Sequence, residues 1–185
     1  MDKVKLRSIN VRGMRDNRKR IDIFNHLKGE YLNNKGHDIV VLVDTHCHFE
    51  KDVTKWSKEW SSNKSNSIWC KGTQHQKGVA ILINENFRNK HPDLIVSEPI
   101  IDPNGRYIKV FLSIFGQKFR LLAVYAPPIG PNRVIFFQNL RTVMEDEVED
   151  ADNIYGGTGI AQLIQTSIDK TARAQMTWGG LTCNT

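Results

Sequence analysis

Cysteine is scarce in this sequence, and its three copies form no recognisable pair. Cys47, Cys70 and Cys183 are odd in number and lack Cys-x-x-Cys spacing, which argues against a disulfide framework and a zinc knuckle. A reducing, intracellular compartment is the expectation. The opening MDKVKLRSIN has no apolar signal core, and no apolar run approaches the roughly 20 residues that span a bilayer, so no membrane partner is expected. Internal repeats are missing, and no linker divides the chain. Acidic residues are outnumbered: 20 Asp and Glu face 26 Lys and Arg, a formal net charge of +6. That balance favours polyanionic partners such as nucleic acid. The charge is spread along the chain except for one dense run, Arg12–Arg20 (RGMRDNRKR), which serves as a phosphate contact or a solvated face.

What remains is enough for one folded domain, since 39% of the 185 residues are hydrophobic. Lys5–Val11 alternates and reads as a strand. Arg18–Asn33 carries Ile21, Phe24, Leu27 and Leu32 near helical spacing, with Gly36 as a stop. Asp38–Asp44 (DIVVLVD) and Gly78–Ile83 (GVAILI) are continuous apolar runs, the pattern of strands buried on both faces. Glu50–Trp60 reads as a short helix, and the Ser/Asn/Lys-rich SSNKSNS after it as a surface loop. Asp102-Pro-Asn-Gly105 is a turn, followed by strands at Arg106–Phe115 and Lys118–Tyr125. Pro127, Pro128 and Pro131 break the chain before a helix over Arg133–Glu149. Strand, helix, strand and then hairpins predict an α/β fold in which two sheets pack as a sandwich with helices outside.

Chemistry gathers at three strand ends. Asn10 closes the first strand, Asp44 the second, and Tyr125 the strand before the prolines. A carboxylate ending an apolar run is costly unless solvated or paired, and active sites collect at such ends. Asn10 can instead cap a turn, and Tyr125 can be a packing aromatic. A rival reading also passes through Asp44: Asp44, His46 and His48 alternate, so in extended backbone they would share one face and could hold zinc.

Four segments in order, SINVRGM with Asn10, VDTH (Val43–His46), GVAIL with GRYIKV, and VYAPP (Val124–Pro128), resemble the endonuclease/exonuclease/phosphatase family. The resemblance covers about residues 4–150, and its spacing leans towards the endonucleases of LINE-type retrotransposons. It implies a DNase I-like fold and an exonuclease III-like DNA endonuclease using Mg²⁺, with Mn²⁺ as a substitute and no small-molecule cofactor. It further implies Asn10 and Asp44 as metal ligands, Tyr125 and Arg106 as catalytic groups, and Arg12, Arg15 and His46 against nucleic acid. The parent would be a nuclear protein with other retrotransposon domains.

The pattern then fails. The family places Gly-Asp-x-Asn on the strand after the helix, its aspartate activating the attacking water. Here the segment reads NIYGGTGIAQ (Asn153–Gln162), with neither residue. Nor is YGGTG a P-loop, for it lacks the Lys-Ser/Thr; it reads as a loop. SIDKTARAQ (Ser167–Gln175) resembles the family again, but the sequence ends at Thr185 before the family's last strands and Asp-His pair. Residues 1–157 are therefore expected to be the N-terminal part of the domain, and 158–185 a disrupted continuation, incomplete at the C-terminus. Deleting one base from codons for a family-like Gly-Gly-Asp-Trp-Asn strand yields Gly-Gly-Thr-Gly-Ile-Ala-Gln, so a frameshift beginning at Thr158 is one origin. Three functions compete: an active DNA phosphodiesterase, an impaired relic with weak nonspecific DNA binding, and an unrelated zinc or interaction module.

Overall fold

The computed structural model describes residues 4–33, 35–128, 130–144 and 152–158. The expected disrupted continuation after Thr158, SIDKTARAQ and Cys183 lie outside the described residues, as do residues 145–149 of the helix expected over Arg133–Glu149. The chain order is β1 (Leu6–Asn10), α1 (Asn17–Leu32), β2 (Ile39–Val43), α2 (Glu50–Trp60), a 3₁₀ turn (Lys64–Asn66), β3 (Ser67–Cys70), β4 (Val79–Ile83), α3 (Glu85–Lys90), β5 (Ile95–Val96), β6 (Ile100–Ile101), β7 (Tyr107–Ile114), β8 (Gln117–Tyr125), α4 (Pro131–Met144) and β9 (Asp152–Thr158).

Two mixed sheets form. One has the order β1-β2-β4-β3, with β1 and β2 parallel and the other pairs antiparallel. The other runs β5-β7-β8-β9, with β6 also on β7 and β9 parallel to β8. The apolar runs of β2 and β4 are continuous because both faces are covered. Ile39, Val41, Val43, Val79 and Ile81 point between the sheets against Ile108, Val110, Leu121 and Ala123. Val40, Leu42, Ala80 and Leu82 point outward against Phe24, Leu27, Trp56 and Trp60 of α1 and α2. Edge-to-face pairs, Phe24–Trp60 and Trp56–Trp69, each with centroids 5.6 Å apart, lock the helices on, each adding about 1 kcal/mol beyond burial. On the other outer face, Lys109 and Arg120 reach α4. Their side chains donate to the carbonyls of Val143 (2.6 Å) and Met144 (3.1 Å), offsetting the negative end of the helix.

The expected sandwich with outer helices is the observed fold. The YGGTG loop expectation is corrected: Tyr155–Thr158 complete β9, paired with β8 from Phe119↔Asp152 to Tyr125↔Thr158. Glycine is tolerated there because the sheets approach closely, and a Cβ on Gly156 would meet Val41 Cγ2 at 3.1 Å. The SSNKSNS loop is also shorter than expected, since it holds the 3₁₀ turn and its last serine opens β3.

Burial pushes the thiols of Cys47 and Cys70 up from the ordinary 9.0 to about 12. Between those values the folded chain keeps two protons that the unfolded chain releases. The thiols therefore stabilise the fold below pH 9, and that contribution is lost as pH rises through the window. At pH 8 neither peptide is expected to take up iodoacetamide without denaturant, read by mass spectrometry; native labelling of either would contradict the burial.

Candidate active site

The parallel pairing of β1 and β2 brings the first two polar strand ends together, with Asn10 in register with Val43, the residue before Asp44. Tyr125 arrives from the facing sheet at the end of β8. Its phenol stays protonated to higher pH than usual, chiefly through burial, then through the Asp44 charge and a hydrogen bond to that carboxylate, while Arg106 opposes the shift. Tyr125 and Asp44 thus meet across the two sheets. Arg106 follows the Asp102–Gly105 turn. Its Nη1 donates to the Tyr125 carbonyl at 3.4 Å, and its guanidinium lies 5.9 Å from the centres of the Tyr125 and Phe136 rings.

The backbone around Asp44 is unusual. Five described non-glycine residues have φ in the left-handed region, and Arg12, Asp44, His46 and Lys77 of these surround the site. Such conformations cost energy and persist where neighbours hold them. The Lys77 N–H donates to Asp44 Oδ1 at 3.0 Å, and His46 Nε2 lies 3.1 Å from the same oxygen. From the other side, Gly13 and Met14 donate their N–H groups to the carbonyls of Asp44 (2.7 Å) and Thr45 (2.9 Å). Gly13 has φ +82°, and a Cβ there would sit 2.7 Å from His46 Nδ1, so only glycine lets the loop close on the imidazole.

The residues expected to meet nucleic acid separate in role. Arg12 is exposed, with its N–H on Asn10 Oδ1 at 3.0 Å. Arg15 is committed to Asp52 at 3.1 Å, and His46 faces Asp44 with its side chain only 18% exposed. Sequence reasoning missed Lys77, and it took Gly13, Lys19 and Arg20 only as part of the basic Arg12–Arg20 run. Lys19 Nζ and Arg20 Nη1 instead donate to the carbonyls of Val11 and Met14 and so hold the loop. The Lys-Gly before VAILI, the Arg-Gly after Asn10 and the basic run itself were the signals.

The zinc reading is corrected. Positive φ at Asp44 and His46 breaks the extended backbone that would align the three side chains. His48 turns away, its Nδ1 3.0 Å from the Gly72 carbonyl oxygen. Among the described residues no group of three or more His, Cys, Asp or Glu side chains converges. The donors present are oxygens, the Asn10 amide and the Asp44 carboxylate on adjacent strand ends. Such a pair suits a hard divalent cation that keeps several waters, and does not suit zinc, which prefers four nitrogen or sulfur ligands.

Two mixed sheets face to face, helices outside and polar groups at the strand ends define a DNase I-like sandwich, the fold of the endonuclease/exonuclease/phosphatase proteins. D. rerio TDP2, solved with a single strand DNA product, superposes with a TM-score of 0.57 at 18% identity, over 85% of this chain and 60% of that one. AP endonuclease LMAP from Leishmania major gives 0.56 at 15% identity, over 83% of this chain and 54% of that one. In sequence, the chain is 29% identical over 127 residues to the Transposon TX1 uncharacterized 149 kDa protein of Xenopus laevis, covering 69% of this chain and 9% of that protein. It thus spans less than two thirds of each of these proteins. No family model matches it.

Proposed function

We propose that this chain carries the metal-side half of a divalent-cation-dependent phosphodiesterase site for DNA, impaired at its water-activating position. The observation that carries the reading is the convergence of three polar strand ends. Asn10 and Asp44 close neighbouring strands, and Tyr125 comes from the facing sheet near enough for the Asp44 charge to keep its phenol protonated. The fold shared with an AP endonuclease and with a TDP2 bound to a DNA product supports DNA as the partner, as does the transposon relative.

Asn10 and Asp44 would hold Mg²⁺ or Mn²⁺, which when bound polarises a phosphate oxygen and offsets transition-state charge. Tyr125, a phenol at neutral pH, donates to a phosphate oxygen. Arg106 adds positive charge behind it, and Arg12 meets the phosphate chain from solvent. His46 and the Lys77 N–H orient Asp44 through one oxygen. That restraint matters because Asp44 is one methylene shorter than the glutamate the family usually has. The parent protein, on this reading, is a nuclear transposon protein with further domains. The described residues include no helix long and apolar enough to cross a membrane.

The impaired half of the reading rests on register: Thr158 pairs with Tyr125, at the strand end where the family's aspartate belongs. It favours a relic that binds DNA through phosphate contacts, weakly, with little sequence preference and steep salt dependence.

Manganese titration followed by electron paramagnetic resonance tests the metal. The chain is expected to bind one Mn²⁺, and Asp44→Ala to lose it while keeping its circular dichroism spectrum. Binding that Asp44→Ala leaves unchanged, or no binding at millimolar Mn²⁺, would remove the metal from the proposal.

A further inference from the structure

Phe49 is a large aromatic outside the apolar core. Its ring is 37% exposed and belongs to none of the core clusters. Polar and cationic groups surround it. The His48 imidazole is tilted 59° to it with centroids 4.4 Å apart, the Arg15 guanidinium lies 5.7 Å from its centre, and the Lys51 ammonium 5.1 Å.

The segment is also held rigid. Asp52 Oδ2 accepts the backbone N–H groups of His48 (3.3 Å) and Phe49 (3.0 Å) and Nη1 of Arg15 (3.1 Å). His48 is fixed from the far side by the Gly72 carbonyl. Two residues upstream is His46, on the Asp44 carboxylate. Arg15 follows Met14, whose N–H is bonded to Thr45. The aromatic pair therefore lies two and three residues along the chain from the imidazole that braces Asp44, with the His48 ring itself turned towards Gly72.

We propose that His48 and Phe49, flanked by Arg15 and Lys51, form a stacking platform for an unpaired nucleotide of single-stranded DNA entering the site. A base offers a π-face whatever its identity, and an aromatic ring beside cations recognises base and phosphate together. A ring already fixed by its backbone loses little freedom when a base lands on it. Bases inside a duplex are stacked on each other and cannot use the ring, so the platform selects single strands. The inference rests on the DNA reading given above and adds the form of DNA that the platform accepts.

Fluorescence anisotropy with a short labelled oligothymidylate and with a duplex of equal length tests it on the full chain. Phe49→Ala is expected to weaken oligothymidylate binding about tenfold, to leave duplex binding unchanged, and to keep the wild-type melting temperature because the ring is outside the core. Phe49→Trp should retain affinity, and its added fluorescence over wild type should be quenched as the oligonucleotide binds. Equal oligothymidylate affinity in wild type and Phe49→Ala, or no change in the added indole signal, would overturn the platform while leaving the DNA reading standing. Failure of the wild type to bind either DNA would overturn both.

Discussion

Supercoiled plasmid incubated with the purified chain and Mg²⁺ or Mn²⁺ is expected to show no nicking above background. Phosphodiester hydrolysis needs a cation on the phosphate, a stabiliser of the developing charge and a group that takes a proton from water. On the proposed reading, Asn10, Asp44, Tyr125 and Arg106 would serve the first two needs. The parallel pairing of β9 with β8 sets Thr158 opposite Tyr125, and a threonine hydroxyl does not accept a proton near neutral pH. A positioned general base contributes about 10²–10⁴ in rate, and groups that act as a unit lose more together than singly. Thr158→Asp is the direct counter-experiment, since it puts a carboxylate at that register position; any metal-dependent nicking it gains should vanish again with Asp44→Ala. Robust cleavage by the unaltered chain, abolished by Asp44→Ala, would show that another group supplies the base.

Replacing Arg20 should cost more stability than any other single surface-to-core tie. Its side chain is 2% exposed, with Nε and Nη2 on the two Glu59 carboxylate oxygens at 2.6 and 3.1 Å. Nη2 also donates to Asn17 Oδ1 at 2.6 Å, Nη1 to the Met14 carbonyl at 2.9 Å, and the guanidinium lies 4.9 Å from the centre of the Trp56 ring. One cation thus joins α1, α2 and the loop that closes on Asp44. Beside it, Lys19 Nζ donates to the carbonyls of Val11 (2.8 Å) and Arg12 (3.1 Å). Removing one partner of such a buried pair typically costs about 3–5 kcal/mol. Arg20→Ala should show that loss in urea unfolding, with faster amide exchange at Gly13 and Met14. Arg20→Lys should recover only part, because an ammonium cannot make the planar fork. A loss below about 1 kcal/mol, the range of exposed pairs, would mean that the loop is held by its backbone bonds alone.

Much of the fold could be read in advance because burial leaves a mark on sequence. DIVVLVD and GVAILI are apolar at every position since α1 and α2 cover one face and the second sheet the other. Glu50–Trp60 has the limits expected of it, with Asp52 at its start accepting the Phe49 N–H. The misses were short or depended on partners: β3, α3, β5 and β6 are two to six residues long. The glycines of β9 carry no strand propensity, and only pairing with β8 and the close approach of Val41 make them a strand.

The candidate site divides along the same line. Asn10, Asp44, Tyr125 and Arg106 could be named from the sequence because each residue type has a chemical use at a strand end, and the order of their segments resembles one family. Their joining could not, for Tyr125 and the Asp44 carboxylate whose charge acts on its phenol are 81 apart in number and come from different sheets. Nor could the sequence distinguish a Asp44-His46-His48 metal face from a sharply turned backbone. That depended on left-handed φ at Asp44 and His46, which the Gly13 loop and the Lys77 amide impose from elsewhere in the chain. Local pattern determined which residues are buried and which strands end in polar groups, since both follow from nearest-neighbour periodicity. Which polar ends face one another, and which arginine braces the loop beneath them, was decided only when the two sheets closed, because those contacts are between residues that sequence spacing does not relate.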